Sequence, residues 1–159
     1  MTVQAIRPEI TPVNKPWWDS LSAGVLTFQT CACGNRWLPP RALCPACLGS
    51  EWCWTPASGR ATLVSWTVFH VAYHEAFAHR VPYNVAAVEL AEGPRMITNV
   101  VDSPDGSGLR IGMSLTLTIQ QQDGFAIALF QMAPVDDELR PVNGQHDSQS
   151  IAGDRGAFS

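Results

Sequence analysis

The residues with the clearest chemistry are four cysteines in two close pairs, Cys31-Ala32-Cys33 and Cys44-Pro45-Ala46-Cys47, with ten residues between the pairs. Four thiolates at this spacing suit one tetrahedral zinc ion, because each pair supplies two ligands from one tight turn. The first pair is one residue shorter than the usual C-x-x-C, so its turn must be tighter, and Gly34 follows where the backbone has to bend. The pattern predicts a structural site, since four protein thiolates leave no position for a catalytic water.

Three other uses of these cysteines compete with zinc. A disulfide framework suits a secreted protein, but residues 1–12 contain no apolar segment of the kind found in signal peptides. A redox pair of Cys44 and Cys47 is an alternative, although two neighbouring pairs favour metal over redox chemistry. An iron–sulfur cluster also takes four cysteines, usually at other spacings. The fifth cysteine, Cys53, is expected to be a small apolar residue near the metal site.

The charge of the chain restricts its partners. Of 159 residues, 10 are basic and 14 acidic, and Lys15 is the only lysine. Nucleic-acid binding requires clustered Lys and Arg, so we expect no nucleic-acid partner. No run approaches the ~20 apolar residues that span a bilayer, so we expect no membrane partner. With reduced cysteines and no targeting segment, the expected location is the cytoplasm.

The segment before the cysteines predicts a short helix. Asn14 or Lys15 would cap it, and Gly24 suits its end. Two adjacent tryptophans follow the cap, and a helix this short cannot bury both by itself. The candidates for contact with a partner protein are therefore the large apolar side chains of this helix: Trp17, Trp18 and Leu21.

The rest of the chain predicts a mainly β fold. Five segments rich in β-branched and aromatic residues are predicted as strands: 61–71, 84–91, 95–101, 113–120 and 125–132. Together with the cysteines they predict a short N-terminal helix and a rubredoxin-like zinc ribbon, followed by a five-stranded OB-fold barrel. The predicted divisions are an N-terminal arm and helix (1–24), the zinc ribbon (25–57), the OB-fold domain (58–134) and a polar, mobile C-terminal tail (135–159).

Several short motifs resemble the DUF35 family. In the N-terminal part they are Pro16-Trp17-Trp18, Cys31-x-Cys33-Gly34, and Pro39-Pro40-Arg41 before Cys44-Pro45-Ala46-Cys47. In the barrel they are Val81-Pro82-Tyr83, Val88-Glu89-Leu90 with Glu92-Gly93, and Arg110-Ile111-Gly112-Met113. The resemblance covers residues 14–134 and departs from the family pattern in the shortened first cysteine pair.

The resemblance implies an accessory subunit of a hetero-oligomer. Proteins of that family pair with thiolase-like enzymes (thiolases, acyltransferases, side-chain aldolases) or with hot-dog-fold enoyl-CoA hydratases. Their OB domain is thought to help hold a CoA thioester, while the catalytic residues belong mostly to the partner. In agreement with this, the sequence contains no glycine-rich phosphate loop and no nucleophile motif, so no catalytic residue is predicted.

A CoA ester is a polyanion, so its site calls for arginines near the phosphates and aromatic surface beside them. The candidates in the long barrel loop and on the ribbon are Arg80, Tyr83, His79, Arg36 and Arg41. The leading hypothesis is therefore a non-catalytic acyl-CoA-binding subunit of a thiolase-like enzyme, or of a hydratase. The alternatives are a nucleic-acid-binding ribbon and OB module, and a stand-alone hydrolase or hydratase that uses the loop from His74 to Arg80.

Overall fold

The computed structural model describes residues 7–134, so the first residues of the expected arm (1–6) and the expected tail (135–159) lie outside the described residues. Within this range the chain is mainly β, with one short α-helix and two antiparallel sheets. In chain order the elements are α1 (Lys15–Ser22), β1 (Thr27–Cys31), β2 (Arg36–Trp37), β3 (Trp52–Pro56), β4 (Arg60–Phe69), a 3₁₀ turn (Glu75–Phe77), β5 (Tyr83–Leu90), β6 (Arg95–Thr98), β7 (Ser114–Gln122) and β8 (Phe125–Met132). None of the helical segments in the described part has the length and hydropathy that a membrane crossing requires.

Helix α1 lies where the sequence predicts it, but its cap differs from the expectation. Asn14 occupies the N-cap position, yet its side chain makes no capping bond to the helix. Its Oδ1 instead accepts a hydrogen bond from the backbone N–H of Thr11 at 2.8 Å, which stabilises the turn before the helix. Gly24, with φ +83°, ends the helix in the left-handed region that glycine adopts without strain.

The ribbon is a three-stranded sheet in the order β2-β1-β3. Its central strand carries Gln29, a fully buried polar side chain. The Gln29 amide donates to the backbone carbonyl of Arg41 at 2.8 Å and accepts from the backbone N–H of Arg41 at 2.7 Å. This pair of bonds ties the long loop between the two cysteine pairs to the sheet.

The second sheet has five strands in the order β6-β5-β4-β7-β8 and curls on itself as in an OB fold. The third barrel strand, expected to reach residue 101, ends at Thr98. The chain beyond it leaves β5 and meets β8: Val100 bridges Phe130 in parallel, and the N–H of Val101 donates to the Phe130 carbonyl at 2.8 Å. This crossing brings the two edges of the sheet together over a buried apolar core.

The loop over residues 102–110 contributes to this packing, although its sequence of Gly, Ser, Asp and Pro indicates plain surface. Ser103 and Leu109 are buried, and Gly106 lies directly against Trp66 and Val68. A Cβ at position 106 would come within 2.9 Å of the Trp66 Nε1 atom, so only glycine permits this approach. The loop is therefore held against β4 and does not form a detached surface turn.

Candidate metal centre and apolar cavity

The four predicted cysteines form one cluster. Their sulfur atoms all lie within 4.8 Å of one another, with Cys31 Sγ 3.6 Å from Cys47 Sγ and Cys33 Sγ 3.7 Å from Cys44 Sγ. A tetrahedral zinc ion with Zn–S bonds of about 2.3 Å separates its sulfur ligands by about 3.8 Å. The observed separations therefore fit a tetrahedral metal ion, and the short Cys-x-Cys turn does not prevent it.

Two tight turns hold these sulfurs in place. Cys31 is the last residue of β1, and the N–H of Gly34 donates a hydrogen bond to the Cys31 carbonyl at 2.9 Å. In the second turn the N–H of Leu48 donates to the Cys44 carbonyl, and Leu48 itself takes a positive φ of 61°. The Asn35 amide also donates to Cys44 Sγ at 3.6 Å, as expected for a group that favours a thiolate.

The thiols of the cluster differ in acidity because they share one small space. Burial disfavours the Cys44 thiolate, yet backbone N–H groups of Cys47 and Ala46 donate to it and lower the pKa of Cys44 to about 6. The backbone N–H of Cys33 favours the Cys31 thiolate, but burial and the other three sulfurs outweigh it and raise the pKa of Cys31 to about 12. The Cys44 thiol therefore ionises readily, whereas the Cys31 thiol keeps its proton. A bound cation would supply the positive charge that lets all four ionise.

Two tryptophans pack beside the cluster, and a third extends this aromatic group. Trp37 is buried beside Cys31 and Cys44, and Trp52 packs against it with ring centroids 6.4 Å apart. Trp52 in turn meets Trp54 edge to face at 5.6 Å. Cys53, by contrast, is exposed on β3 and lies outside the cluster, although it was expected to be an apolar residue near the metal.

A cavity of about 610 Å³ lies between α1 and the barrel. Its apolar walls come from the helix and from β5, β6 and β8, and include Trp17, Trp18, Val85, Met96, Val100 and Leu129. Among its lining residues only Arg80 and Tyr83 carry ionisable side chains. Such a volume lies within the range of small-molecule sites, which are mostly apolar with a few placed polar groups.

Arg80 is held at the rim of this cavity by several contacts. Its Nη1 donates to Gln122 Oε1 at 2.9 Å, and its Nη2 lies 3.4 Å from Asp123 Oδ2. The guanidinium also lies over the Phe77 ring, 5.6 Å from the centroid. These contacts fix a side chain that sequence reasoning placed only in an irregular loop.

Two aromatic rings, Phe77 and Tyr83, line the cavity beside Arg80 with their centroids 5.7 Å apart. Outside the lining, Phe69 stacks on Tyr83 with centroids 5.2 Å apart and an interplanar angle of 10°. Tyr73 meets Phe69 edge to face at 6.1 Å and is 83% exposed. Phe77 and Tyr83 thus give the cavity an aromatic surface next to its cation.

The structure brings some candidate residues together and separates others. Arg80 and Tyr83 line the cavity, whereas His79 is exposed beside it and is not among the lining residues. Arg36 lies on the ribbon, where its Nη1 donates to the Glu92 carbonyl at 3.2 Å, and Arg41 is exposed on the cysteine loop. Of the three helix residues, Trp17 and Trp18 line the cavity and are half-buried. Leu21 is completely buried in the core and offers no surface to a partner.

The polar floor of the cavity was missed by sequence reasoning. Asn84 is buried, and its amide donates to the carbonyls of Val100 and Ser103, both at 2.7 Å, while its Oδ1 accepts from the N–H of Val100 at 2.8 Å. These bonds fasten β5 to the crossing segment and leave the Asn84 side chain fully satisfied. The available signal was an asparagine at an inward-facing position of an otherwise apolar strand.

Comparison with known proteins places this architecture in a family. Residues 54–120 match the family profile of the C-terminal OB-fold domain of ChsH2. A DUF35 domain-containing scaffold protein of Methanothermobacter thermautotrophicus is 31% identical over 116 residues, which cover 69% of this chain and 86% of that protein. The chain belongs to the DUF35 family.

Two further similarities connect this DUF35 chain to enzymes. A solved chain of the Ltp2-ChsH2(DUF35) aldolase superposes with a TM-score of 0.70 at 34% identity, covering 79% of this chain and 98% of that chain. A probable enoyl-CoA hydratase alpha subunit of Thermomonospora curvata is 37% identical over 119 residues. That match covers 74% of this chain but 36% of the hydratase subunit, so the DUF35 chain spans about a third of that relative's length.

Proposed function

We propose that this DUF35 protein is a non-catalytic accessory subunit that binds a CoA thioester and holds it for a thiolase-like partner enzyme. The observation that carries the proposal is the cavity of about 610 Å³ with Arg80 fixed at its rim beside Tyr83. In this function the chain contributes by positioning the thioester, since held reactants lose less entropy when they react.

The chemistry of the lining residues supports binding and not catalysis. General acid–base catalysis most often uses a histidine or a carboxylate within hydrogen-bond reach of the substrate, and nucleophilic catalysis uses a side chain activated by such a neighbouring base. The cavity is lined instead by hydrocarbon, aromatic and amide groups, with Arg80 and Tyr83 as its ionisable residues. The proton transfers are accordingly assigned to the partner.

Arg80 has the donors that a phosphate requires. A guanidinium carries five N–H groups. Gln122, Asp123 and His79 each accept from one of them, the last at a long 3.5 Å, and the other two N–H groups have no partner among the described residues. Two N–H donors on one guanidinium can bind phosphate oxygens, and the neighbouring rings offer a surface for the adenine or pantetheine.

The cysteine cluster is proposed to hold a structural zinc ion. Four sulfur atoms at nearly tetrahedral separations match the ligand set of closed structural sites. Bound there, zinc would supply only cross-linking of the two turns, and the ribbon would depend on it for folding. A cytoplasmic location, where thiols stay reduced, agrees with this use of the cysteines.

The class of partner follows from the relatives. The solved neighbour at 34% identity is named as an aldolase, and the relative from Thermomonospora curvata is named as a hydratase subunit. We favour a thiolase-like partner because the match to the aldolase chain covers 98% of that chain, whereas the match to the hydratase subunit covers 36% of it. A hot-dog-fold hydratase is the second candidate.

Reconstitution tests this proposal. The chain is co-expressed separately with a thiolase-like and with a hydratase-like subunit from the same genome, and size exclusion then shows which of them it joins. We expect a stable complex with the thiolase-like subunit, no acyl-CoA turnover by this chain alone, and weaker turnover by the enzyme without it. Full activity of the enzyme alone, or rapid acyl-CoA turnover by this chain alone, would refute the accessory role.

A further inference from the structure

A second, smaller hollow opens beside the main cavity. It has a volume of about 320 Å³ and lies where α1, the ribbon segment Leu38–Pro40 and strand β6 meet. We call it the helix–ribbon recess. It shares the lining residues Trp17, Trp18, Met96 and Ile97 with the main cavity, so the two hollows adjoin at these side chains.

The recess is apolar throughout. Its lining residues include no charged side chain, and its one amide, that of Asn14, is already engaged. Asn14 Oδ1 accepts from the Thr11 N–H, and its Nδ2 donates to the Glu9 carbonyl at 2.9 Å. The recess therefore offers a ligand only hydrocarbon and aromatic contacts, favourable to an apolar chain and unfavourable to a phosphate.

Together, the two adjoining hollows form a groove of mixed polarity. Of the two hollows, Arg80 lines only the main cavity, whereas Pro39 and Pro40 line only the recess. A CoA thioester has the same polarity, with phosphates at one end and an acyl chain at the other. Ile97, which is 68% exposed, lines the junction and leaves the middle of the groove open to a partner.

We infer that the helix–ribbon recess binds the acyl chain of the CoA thioester and makes this protein selective for extended apolar acyl groups over acetyl. This inference rests on the proposed function, because it assumes the phosphates at Arg80. The thioester then lies near Ile97, at the open part of the groove, where a partner's catalytic groups can reach it.

Titration calorimetry of the full chain with CoA, acetyl-CoA, butyryl-CoA and hexanoyl-CoA tests the inference. Each buried methylene should tighten binding about threefold to fourfold, so hexanoyl-CoA should bind on the order of 100-fold more tightly than acetyl-CoA. Ile97→Ala should reduce this preference by about threefold to tenfold; because Ile97 also lines the main cavity, the readout is the ratio of the hexanoyl-CoA affinity to the free-CoA affinity. Ile111→Ala is the matched control, because Ile111 is 74% exposed and lines neither hollow.

The outcomes separate the two proposals. Equal affinities for CoA, acetyl-CoA and hexanoyl-CoA would overturn the acyl recess and leave the proposed CoA site intact. Binding of none of the four would overturn both. An equal loss of chain-length preference in Ile111→Ala would show that the preference does not arise in the recess and would also overturn the inference.

Discussion

The indole of Trp18 and the ring of Phe125 meet edge to face, with centroids 5.8 Å apart and an interplanar angle of 70°. This contact fastens α1, the first element of the described chain, to the start of β8, the last strand of the barrel. Trp18 also lines both the main cavity and the helix–ribbon recess. The helix is therefore a wall of both hollows, and its attachment to the barrel controls their shape.

A double-mutant cycle measures this attachment. Trp18→Ala and Phe125→Ala should each lower the free energy of unfolding by about 2 kcal/mol, less than for fully buried rings because both are half-buried. The double variant should lose about 1 kcal/mol less than the sum, since the edge-to-face contact can be lost only once. Chemical denaturation followed by circular dichroism gives these values. Strict additivity would mean that the two rings do not interact in solution.

The metal centre predicts opposite behaviour for two serine substitutions. Cys44→Ser removes a buried ligand of the cluster and should abolish stoichiometric zinc and unfold the ribbon, because metal binding and folding are coupled. Cys53→Ser changes an exposed thiol outside the cluster and should retain one zinc per chain. Elemental analysis and thermal denaturation report both properties. Iron in the purified protein, or no metal with five free thiols, would contradict a zinc ribbon.

Arg80→Ala should weaken CoA binding about tenfold or more, because it removes a charge-assisted contact to phosphate worth about 1.5–3 kcal/mol. Arg95→Ala is the control, since Arg95 is an exposed arginine that pairs with Glu89 at 2.7 Å and lines neither hollow. Calorimetric titration with free CoA compares the two. An equal effect of both substitutions would indicate general charge attraction and not a site at Arg80.

Alanine substitutions at two neighbouring glycines measure the cost of steric contact separately from the cost of backbone strain. Gly106 and Gly108 have nearly the same positive φ, 76° and 77°, so alanine is strained at both. At Gly106 the new Cβ would also meet Trp66 and Val68 at 2.9 Å, whereas at Gly108 nothing lies within 4 Å. Gly106→Ala should therefore cost about 1–3 kcal/mol more than Gly108→Ala in denaturant unfolding. Equal losses would show that the 102–110 loop is not packed on β4.

Glu92 should make stability depend on pH in the acid range. Burial alone raises the pKa of Glu92, but hydrogen bonds from Ser58 and the charge of Arg60 lower it below its ordinary value of 4.5. A lowered pKa in the folded state stabilises the protein above pH 4.5, and this contribution is lost as the pH falls through the folded-state value.

The matched variant is Glu92→Gln, which keeps an oxygen for the Ser58 N–H but does not titrate. Its free energy of unfolding should be lower than that of the wild type at neutral pH, and this difference should become smaller below pH 4.5. Glu75→Gln, at an exposed position, is the control. Denaturant unfolding at a series of pH values measures the gap. A gap independent of pH would mean that the folded protein does not hold the Glu92 carboxylate by these bonds.

The sequence by itself determined the local features, because these depend on neighbouring residues. The spacing of Cys31, Cys33, Cys44 and Cys47 predicted a single cluster, since tight turns bring the members of each pair together whatever surrounds them. The strand over 125–132 was predicted from its local composition, and the Asp123-Gly124 pair before it is a hairpin signal that adopts positive φ at both positions. The order of helix, ribbon and barrel followed from the same local patterns, and the family resemblance added the expected partner and ligand.

Only the tertiary structure decided which distant side chains share a surface. Arg80 reaches Gln122 and Asp123 across more than forty residues, and α1 becomes a wall of the groove by packing on β8. Leu21 is apolar like its neighbours Trp17 and Trp18, yet it is buried whereas they line the cavity, because rotation of the helix against the sheet sets exposure. Such relationships depend on how the sheet curls, and the curl is fixed by the crossing of Val100 over Phe130, which no local pattern encodes.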